Sequence, residues 1–368
     1  MNRFRTLALA ALAATAALSA PAAAQSDILL QLRSGSPAGD RFRVDSAGGV
    51  VAIGELGIGI IPASGAGYRM MWYPFKAAFR AGGTDDGGAG NYWDDANVGF
   101  YSWAGGNLTK AGAFATFAFG DQVEVTGVDG AAFGGSNIVS GTAGFSTGAS
   151  NRCTGFGCVA MGFTNTAGGQ GAVAIGYRVT ADADYAVALG HRASVNGHDG
   201  SFVAADQSTT DSLEASANNQ FNTRYAGGYR LYTNATTTTG VSLNAGGSSW
   251  NVISDRNRKE NFLSIDGEEI LARLRSVPVT TWNYIAEGRQ VRHMGPMAQD
   301  WHRAFGFNDD DKTINQGDFD GVNLAAIKAL EARTAELRAA QAQLAEKSRK
   351  IDELEARLAR IEALLQQR

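Results

Sequence analysis

Proline is scarce in this chain, with six in 368 residues, whereas glycine reaches 47. That much glycine without proline, and without a three-residue period, excludes a collagen-type helix and suits tight turns between many short strands. An excess of one charge is missing too. The formal net charge is −4 and no basic stripe is interleaved with aromatics, so nucleic acid is set aside as a partner. Beyond the N-terminus no stretch approaches the ~20 apolar residues that a membrane-spanning helix needs. Cysteine is limited to Cys153 and Cys158, a pair that cannot make a zinc site. No motif calls for a cofactor or a bound metal.

The N-terminus has the make-up of an export signal. Arg3 and Arg5 are followed by an Ala-rich apolar run from Leu7 to Leu18 and by the small residues Ala22-Ala23-Ala24. Residues 1–24 are expected to be removed before Gln25. The mature protein is then secreted or displayed at the cell surface, with no membrane span. Residues 25–99 read as a β-rich region, with strands at Ile28–Leu32 and Phe42–Val44 and turns at Ser36–Gly39 and Gly48-Gly49. The aromatic and Met residues from Tyr68 to Phe79 suit a core or a contact between subunits, with a ligand surface as the alternative.

From about residue 100 a repeat takes over. Val159-Ala160-Met161-Gly162, Val173-Ala174-Ile175-Gly176 and Val187-Ala188-Leu189-Gly190 are spaced by 14. Equal steps back give Phe145-Ser146-Thr147-Gly148, Ala131-Ala132-Phe133-Gly134 and Phe117-Ala118-Phe119-Gly120; one step forward gives a decayed copy, Ser201-Phe202-Val203-Ala204. A coil this short cannot bury its own apolar face. Stacked coils can, each advancing by about 4.8 Å, the spacing of paired strands. Side chains alternate along each strand, so the Ala face and the Val/Ile face point opposite ways. A roll this thin has little interior, and its second apolar face is left to pack on other copies of the chain. Cys153 and Cys158 both fall in small-residue slots, which fits either two small buried residues or a disulfide. His191 and His198 fall in turns, as polar turn residues or a ligand pair.

The run Ala172-Val173-Ala174-Ile175-Gly176-Tyr177, with Val179 and Ala181, resembles the head of trimeric autotransporter adhesins over about residues 115–206. That resemblance implies a left-handed parallel β-roll built by three chains. Residues 207–253, polar and rich in Ser, Thr, Asn and Gly, read as a neck, with a strand over Tyr225–Thr233.

The character changes at Ser254. Asp266 to Leu274 has helical apolar spacing and is stopped by Pro278, Thr280–Ile285 reads as a strand, and Trp301 and Phe305 suit a small core. Asp309-Asp310-Asp311 lacks the alternation of a calcium loop and reads as a solvated turn. From Asn323 onward the chain reads as helix. Leu330, Leu337, Leu344, Ile351, Leu358 and Leu365 recur every seven residues, the pattern of a coiled coil. The seam does not give the number of strands. The expected units are therefore an α+β segment over 254–322 and a coiled-coil helix over 323–368.

The order Ser254-Asp255-Arg256, Lys259-Glu260-Asn261, Leu274–Val279, His293-x-Gly295-x-x-Ala298-Gln299-Asp300 and Asn323–Leu330 is similar to the C-terminal intramolecular chaperone domain of phage endosialidases and tail fibres. It covers about residues 253–345. Arg258, Phe262 and Pro296 depart from that family's usual residues. The resemblance implies a homotrimer and a Ser–Lys dyad, with Ser254 the nucleophile and Lys259 the general base. It also implies a single-turnover cut in cis at Ser254, between Ser254 and Asp255. A serine hydroxyl needs a base beside it, and a lysine serves when burial or a neighbouring cation lowers its pKa; Arg256 and Arg258 are candidates for the latter. His293 and Gln299 are candidate supporting residues. The function that follows is a secreted fibre or adhesin-like protein whose C-terminal part trimerises it and then releases itself. Two other readings stand beside it: a structural surface protein that trimerises without cutting, and a glycan-active enzyme using acidic pairs such as Asp85-Asp86 and Asp94-Asp95. A cell-surface or glycan ligand belongs to the first two readings without being identified by any motif.

Overall fold

A computed structural model of the chain describes residues 28–34, 39–85, 87–88 and 90–366. The export-signal segment, the Ser36-Pro37-Ala38 turn and Asp86 lie outside the described residues. The chain divides into two compact units, Met1–Ile253 and Ser254–Arg368.

The first unit opens with an antiparallel meander of Ile28–Ser34, Gly39–Asp45 and Val50–Ala52. A hairpin follows, Gly67–Tyr73 against Ala78–Thr84. Its alternation sorts the aromatic and Met cluster onto two faces, with Met71 and Tyr73 buried and Tyr68 and Met70 exposed. The second hairpin strand then starts a parallel ladder by pairing with Trp103–Asn107.

The ladder is a β-solenoid. Among the described residues its main sheet has eleven strands, counting the hairpin, and a second sheet of two-residue strands has eight. Phe117 pairs with Ala131, Ala131 with Phe145, Phe145 with Val159, Val159 with Val173 and Val173 with Val187, each a step of 14. Both ends differ from the simple repeat. Trp103–Asn107 adds a coil before Phe117, with the same 14-residue step. Val187 pairs with Phe202 rather than Ser201, because the turn beyond Val195 holds one extra residue. Phe202 then pairs with Phe221, a step of 19, so the ladder runs on to Arg224. Insertions in turns break a fixed period while leaving strand pairing intact. After Arg224 an antiparallel meander of Gly228–Tyr232, Gly240–Asn244 and Asn251–Val252 completes the unit.

The solenoid interior is made of small residues. Ala104, Ala118, Ala132, Ser146, Ala160, Ala174 and Ala188 point inward from the main sheet and are fully buried. Val125, Val139, Cys153, Ala167, Ala181 and Val195 face them from the second sheet side, also fully buried. Glycine closes each main-sheet strand for a steric reason. Gly134 has φ +109°, and a Cβ there would lie 2.1 Å from the carbonyl oxygen of Gly148 in the next coil. Cys153 and Cys158 are joined as a disulfide with Cα atoms 5.7 Å apart. Three polar residues also sit in this core. Asn137, Asn151 and Asn165 form a ladder in which each amide nitrogen donates to main-chain carbonyls, while Asn151 and Asn165 also donate to the Asn one coil earlier.

Arg80 closes the N-terminal end of this interior. It pairs with Ala104, so its side chain enters where the Ala column begins. The guanidinium donates to the carbonyls of Phe79, Ser102 and Ala111 and to Ser102 Oγ. Burial lowers its pKa to about 10, still well above neutral. Nearby, Tyr73 donates its phenol to Asp95 Oδ1 over 2.7 Å, and Lys76 Nζ lies 3.0 Å from the same oxygen.

The second unit is small. Helix α1 spans Gly267–Arg275, and its N-cap Asp266 accepts from the Glu268 N–H. Strands Thr280–Trp282 and His293–Gly295 pair antiparallel. Helix α2 spans Ala298–Phe305 and ends on left-handed Gly306. Val277, Trp301, Phe305 and Val322 form the core, with Ile270, Leu274 and Phe319 packed around it. Helix α3 runs over Gln316–Gln366, starting seven residues before the expected Asn323. Gly317 and Gly321 weaken the helical signal there, yet Phe319 and Val322 dock on the core and hold the first turns. Asp310 Oδ1 accepts from the backbone N–H groups of Lys312 and Thr313, closing the acidic turn on itself. Beyond Ala329 the whole heptad seam, including Leu337, Leu344, Ile351 and Leu358, is exposed in the single chain.

Candidate active site

The second unit begins with one turn of 3-10 helix, Arg256–Arg258. Asp255 at its N-cap accepts the Asn257 N–H over 2.9 Å. The turn closes through Arg258 N–H to the Asp255 carbonyl and Lys259 N–H to the Arg256 carbonyl. Chain direction is thereby reversed enough for Lys259 Nζ to donate to Ser254 Oγ at 2.7 Å. A nucleophile and a base in direct hydrogen-bond contact are the minimum geometry for proton transfer from the hydroxyl.

The two arginines are turned to other partners. Arg258 Nε lies 3.4 Å from Asp255 Oδ2. Arg256 lies over the Phe262 ring, 5.2 Å from its centroid. Phe262, one of the departures from the resembling family, thus holds a cation. Ser254 and Lys259 are both exposed in the single chain.

His293 and Gln299 do not join this pair. His293 Nε2 is 2.8 Å from Glu287 Oε2, and its ring sits between Trp282 and Tyr284 at centroid distances of 4.8 and 5.5 Å. It therefore braces the loop between the two paired strands. Gln299 is exposed on the first turn of α2 and borders an open groove lined by Trp282, Tyr284, Met294 and Phe319. Glu287, the partner of His293, carried no sequence signal, because nothing in its local pattern separates it from an ordinary loop acid. The capping role of Asp255 was readable in principle: Asp before a short turn is a strong N-cap signal.

The described members of the acidic pairs, Asp85, Asp94 and Asp95, are taken up by local contacts. Asp95 is engaged by Tyr73 and Lys76, which lower its pKa, and Asp94 and Asp85 accept from the backbone N–H groups of Gly65 and Gly87. Asp85 thus closes a local turn, and Asp94 ties the Gly65 segment to its own loop. Among the described residues no three His, Cys, Asp or Glu side chains gather as a metal site, and no helix is long and apolar enough to cross a membrane.

Neither a curated protein nor a solved structure matches the chain. Residues 254–309 match the model of a peptidase family described as chaperone of endosialidase, a stretch that starts at the serine of the close Ser–Lys pair. After its β-solenoid, the chain carries a C-terminal domain of the endosialidase chaperone type.

Proposed function

We propose that this chain is an exported homotrimeric fibre protein whose C-terminal unit guides assembly and then cuts itself free at Ser254. The observation that carries the reading is the 2.7 Å contact between Lys259 Nζ and Ser254 Oγ inside the family-matched segment. In this reading neutral Lys259 takes the hydroxyl proton and Ser254 Oγ attacks the carbonyl carbon of the scissile peptide. The C–N bond then breaks, the leaving nitrogen takes the proton from Lys259, and water hydrolyses the ester that remains.

Ring size separates the two bonds that flank Ser254. Attack on the Ile253 carbonyl within one copy closes a five-membered ring, and the released fragment begins at Ser254. Attack on the Ser254 carbonyl within one copy would need a four-membered ring. A fragment beginning at Asp255 therefore indicates a hydroxyl supplied by another copy, and intact mass tells the two apart.

The role of the unit follows from the solenoid. Parallel coils form by non-local pairing, which is slow and exposes strand edges. Coils of equal length also tolerate slips between copies, so a trimeric clamp at one end fixes where three chains begin. Its loss afterwards leaves the shaft kinetically trapped. The exposed outer face supports association of copies: Phe119, Phe133, Phe163 and Ile175 all show more than a third of their surface in the single chain. The test is incubation of purified wild type beside Ser254→Ala and Lys259→Ala, followed by denaturing electrophoresis. Two fragments from wild type and one intact band from each variant support the reading.

A second reading, a trimeriser that never cuts, draws on the exposure of both dyad side chains. A serine hydroxyl open to water gains little from a neighbouring base, so an intact chain in fully assembled protein favours this alternative.

A further inference from the structure

Ser254 and Lys259 are five residues apart, and an extended chain would separate them by roughly 16 Å. Their contact exists only while the 3-10 turn between them stays closed. A single turn of this kind has little intrinsic stability, since few hydrogen bonds repay the residues fixed. Four contacts span it here, one of them the ion pair of Arg258 Nε with Asp255 Oδ2 at 3.4 Å. Two others are the backbone bonds that close it. The fourth is made by the other Asp255 oxygen, Oδ1, which accepts the Asn257 N–H at 2.9 Å. Asp255 itself is extended, with φ −72° and ψ 127°, so it sets the point where the chain enters the turn. Lys259 leaves the turn extended, with φ −129° and ψ 148°, and its side chain runs back to Ser254.

We propose that Asp255 is the positioning residue of the dyad, acting as an N-cap and not through its charge. This rests on the reading that Ser254 and Lys259 make the cut. Asp255 Oδ2 faces Arg258, and no bond joins the carboxylate to Lys259 among the described contacts. Its influence on Lys259 passes through the turn. The side chain that matters is one with an oxygen able to accept from the N–H two residues on, a property that Asn and Ser share with Asp and Ala lacks.

The experiment compares the full-length chain with Asp255→Asn, Asp255→Ser and Asp255→Ala, each first checked for assembly by sedimentation. Cleavage rate is followed across a range of pH. The expected result is that Asn and Ser cut within about twofold of wild type. Ala should be about five- to tenfold slower, the usual weight of a lost cap expressed as a rate. The pH midpoint of cleavage should stay the same throughout the series, because Lys259 keeps its surroundings. Ala cutting as fast as wild type overturns the proposal. So does an Asn variant as slow as Ala with a displaced pH midpoint, which would assign the effect to charge. If assembled wild type stays whole, the dyad reading falls and this proposal falls with it.

Discussion

Asn165 Nδ2 lies 3.0 Å from Asn151 Oδ1, one coil away in the solenoid interior. The same nitrogen also donates to the carbonyls of Met161 and Gly176. Asn151 Oδ1 meanwhile accepts the backbone N–H of Asn165. The amide of one residue thus satisfies groups from two neighbouring coils in a core otherwise made of Ala and Val. Removing the middle rung leaves several buried donors and acceptors unpaired, at about 1–3 kcal/mol each. Asn151→Val should lower stability by about 3 kcal/mol in equilibrium denaturation of the solenoid. Replacing Asn137, Asn151 and Asn165 together by Val should cost less than three times that amount, since Val123 and Val179 already fill the same column. Strictly additive losses would show that the rungs act independently.

Tyr73 gives a pH signature with a definite sign. Burial, and then its hydrogen bond to Asp95, push its pKa from 10.0 to about 12. A group with a raised folded pKa contributes stability that is full below its unfolded value and lost as the pH climbs through the folded one. Between pH 10 and about 12 the wild type should therefore lose stability faster than Tyr73→Phe. Denaturant midpoints across that window check it, and parallel curves would contradict it.

Cys153 and Cys158 are both fully buried among small residues. The slots they fill hold Ala167 and Ala172 one coil later. Two unbonded thiols need more room than a disulfide, and overpacking a tight core typically costs ~1–3 kcal/mol. Wild type refolded in excess reductant should be less stable than the Cys153→Ala/Cys158→Ala double variant under the same conditions. Equal melting temperatures would show that the interior takes the free thiols without penalty.

The apolar seam of α3 beyond Ala329 is exposed among the described residues of a single chain. Leu354 and Leu358 are 62% and 58% exposed. Each leucine buried between helices contributes about 2 kcal/mol. Leu354→Lys with Leu358→Lys should dissociate the protein or sharply weaken its self-association in sedimentation equilibrium. An unchanged oligomer would move the association away from this helix.

The glycine comb and the Ala column were legible because each coil repeats the same steric demand, although which face of the strand points inward was not. The ends of the ladder were not. One extra residue after Val195 and a longer loop before Phe221 shift the register without changing the strand chemistry, and Trp103-Ala104-Gly105-Gly106 hides a coil behind two glycines. The register placed both cysteines in small-residue slots but could not give the distance across the coil, which decides whether they bond. At the candidate site, the resemblance to the chaperone family, and not the five-residue spacing, pointed to the Ser254–Lys259 pair, while the contacts of Arg256 and Arg258 were not legible. Their partners, Phe262 and Asp255, depend on how the turn closes, which spacing alone does not encode.

Cleavage at Ser254 is tested best by the intact mass of assembled wild type and of the Ser254→Ala and Lys259→Ala variants after equal incubation. Wild type should give two fragments, divided beside Ser254, and each variant a single uncut chain. The same two fragments from either variant, or an uncut wild type in the assembled state, would contradict cleavage by the Ser254–Lys259 pair.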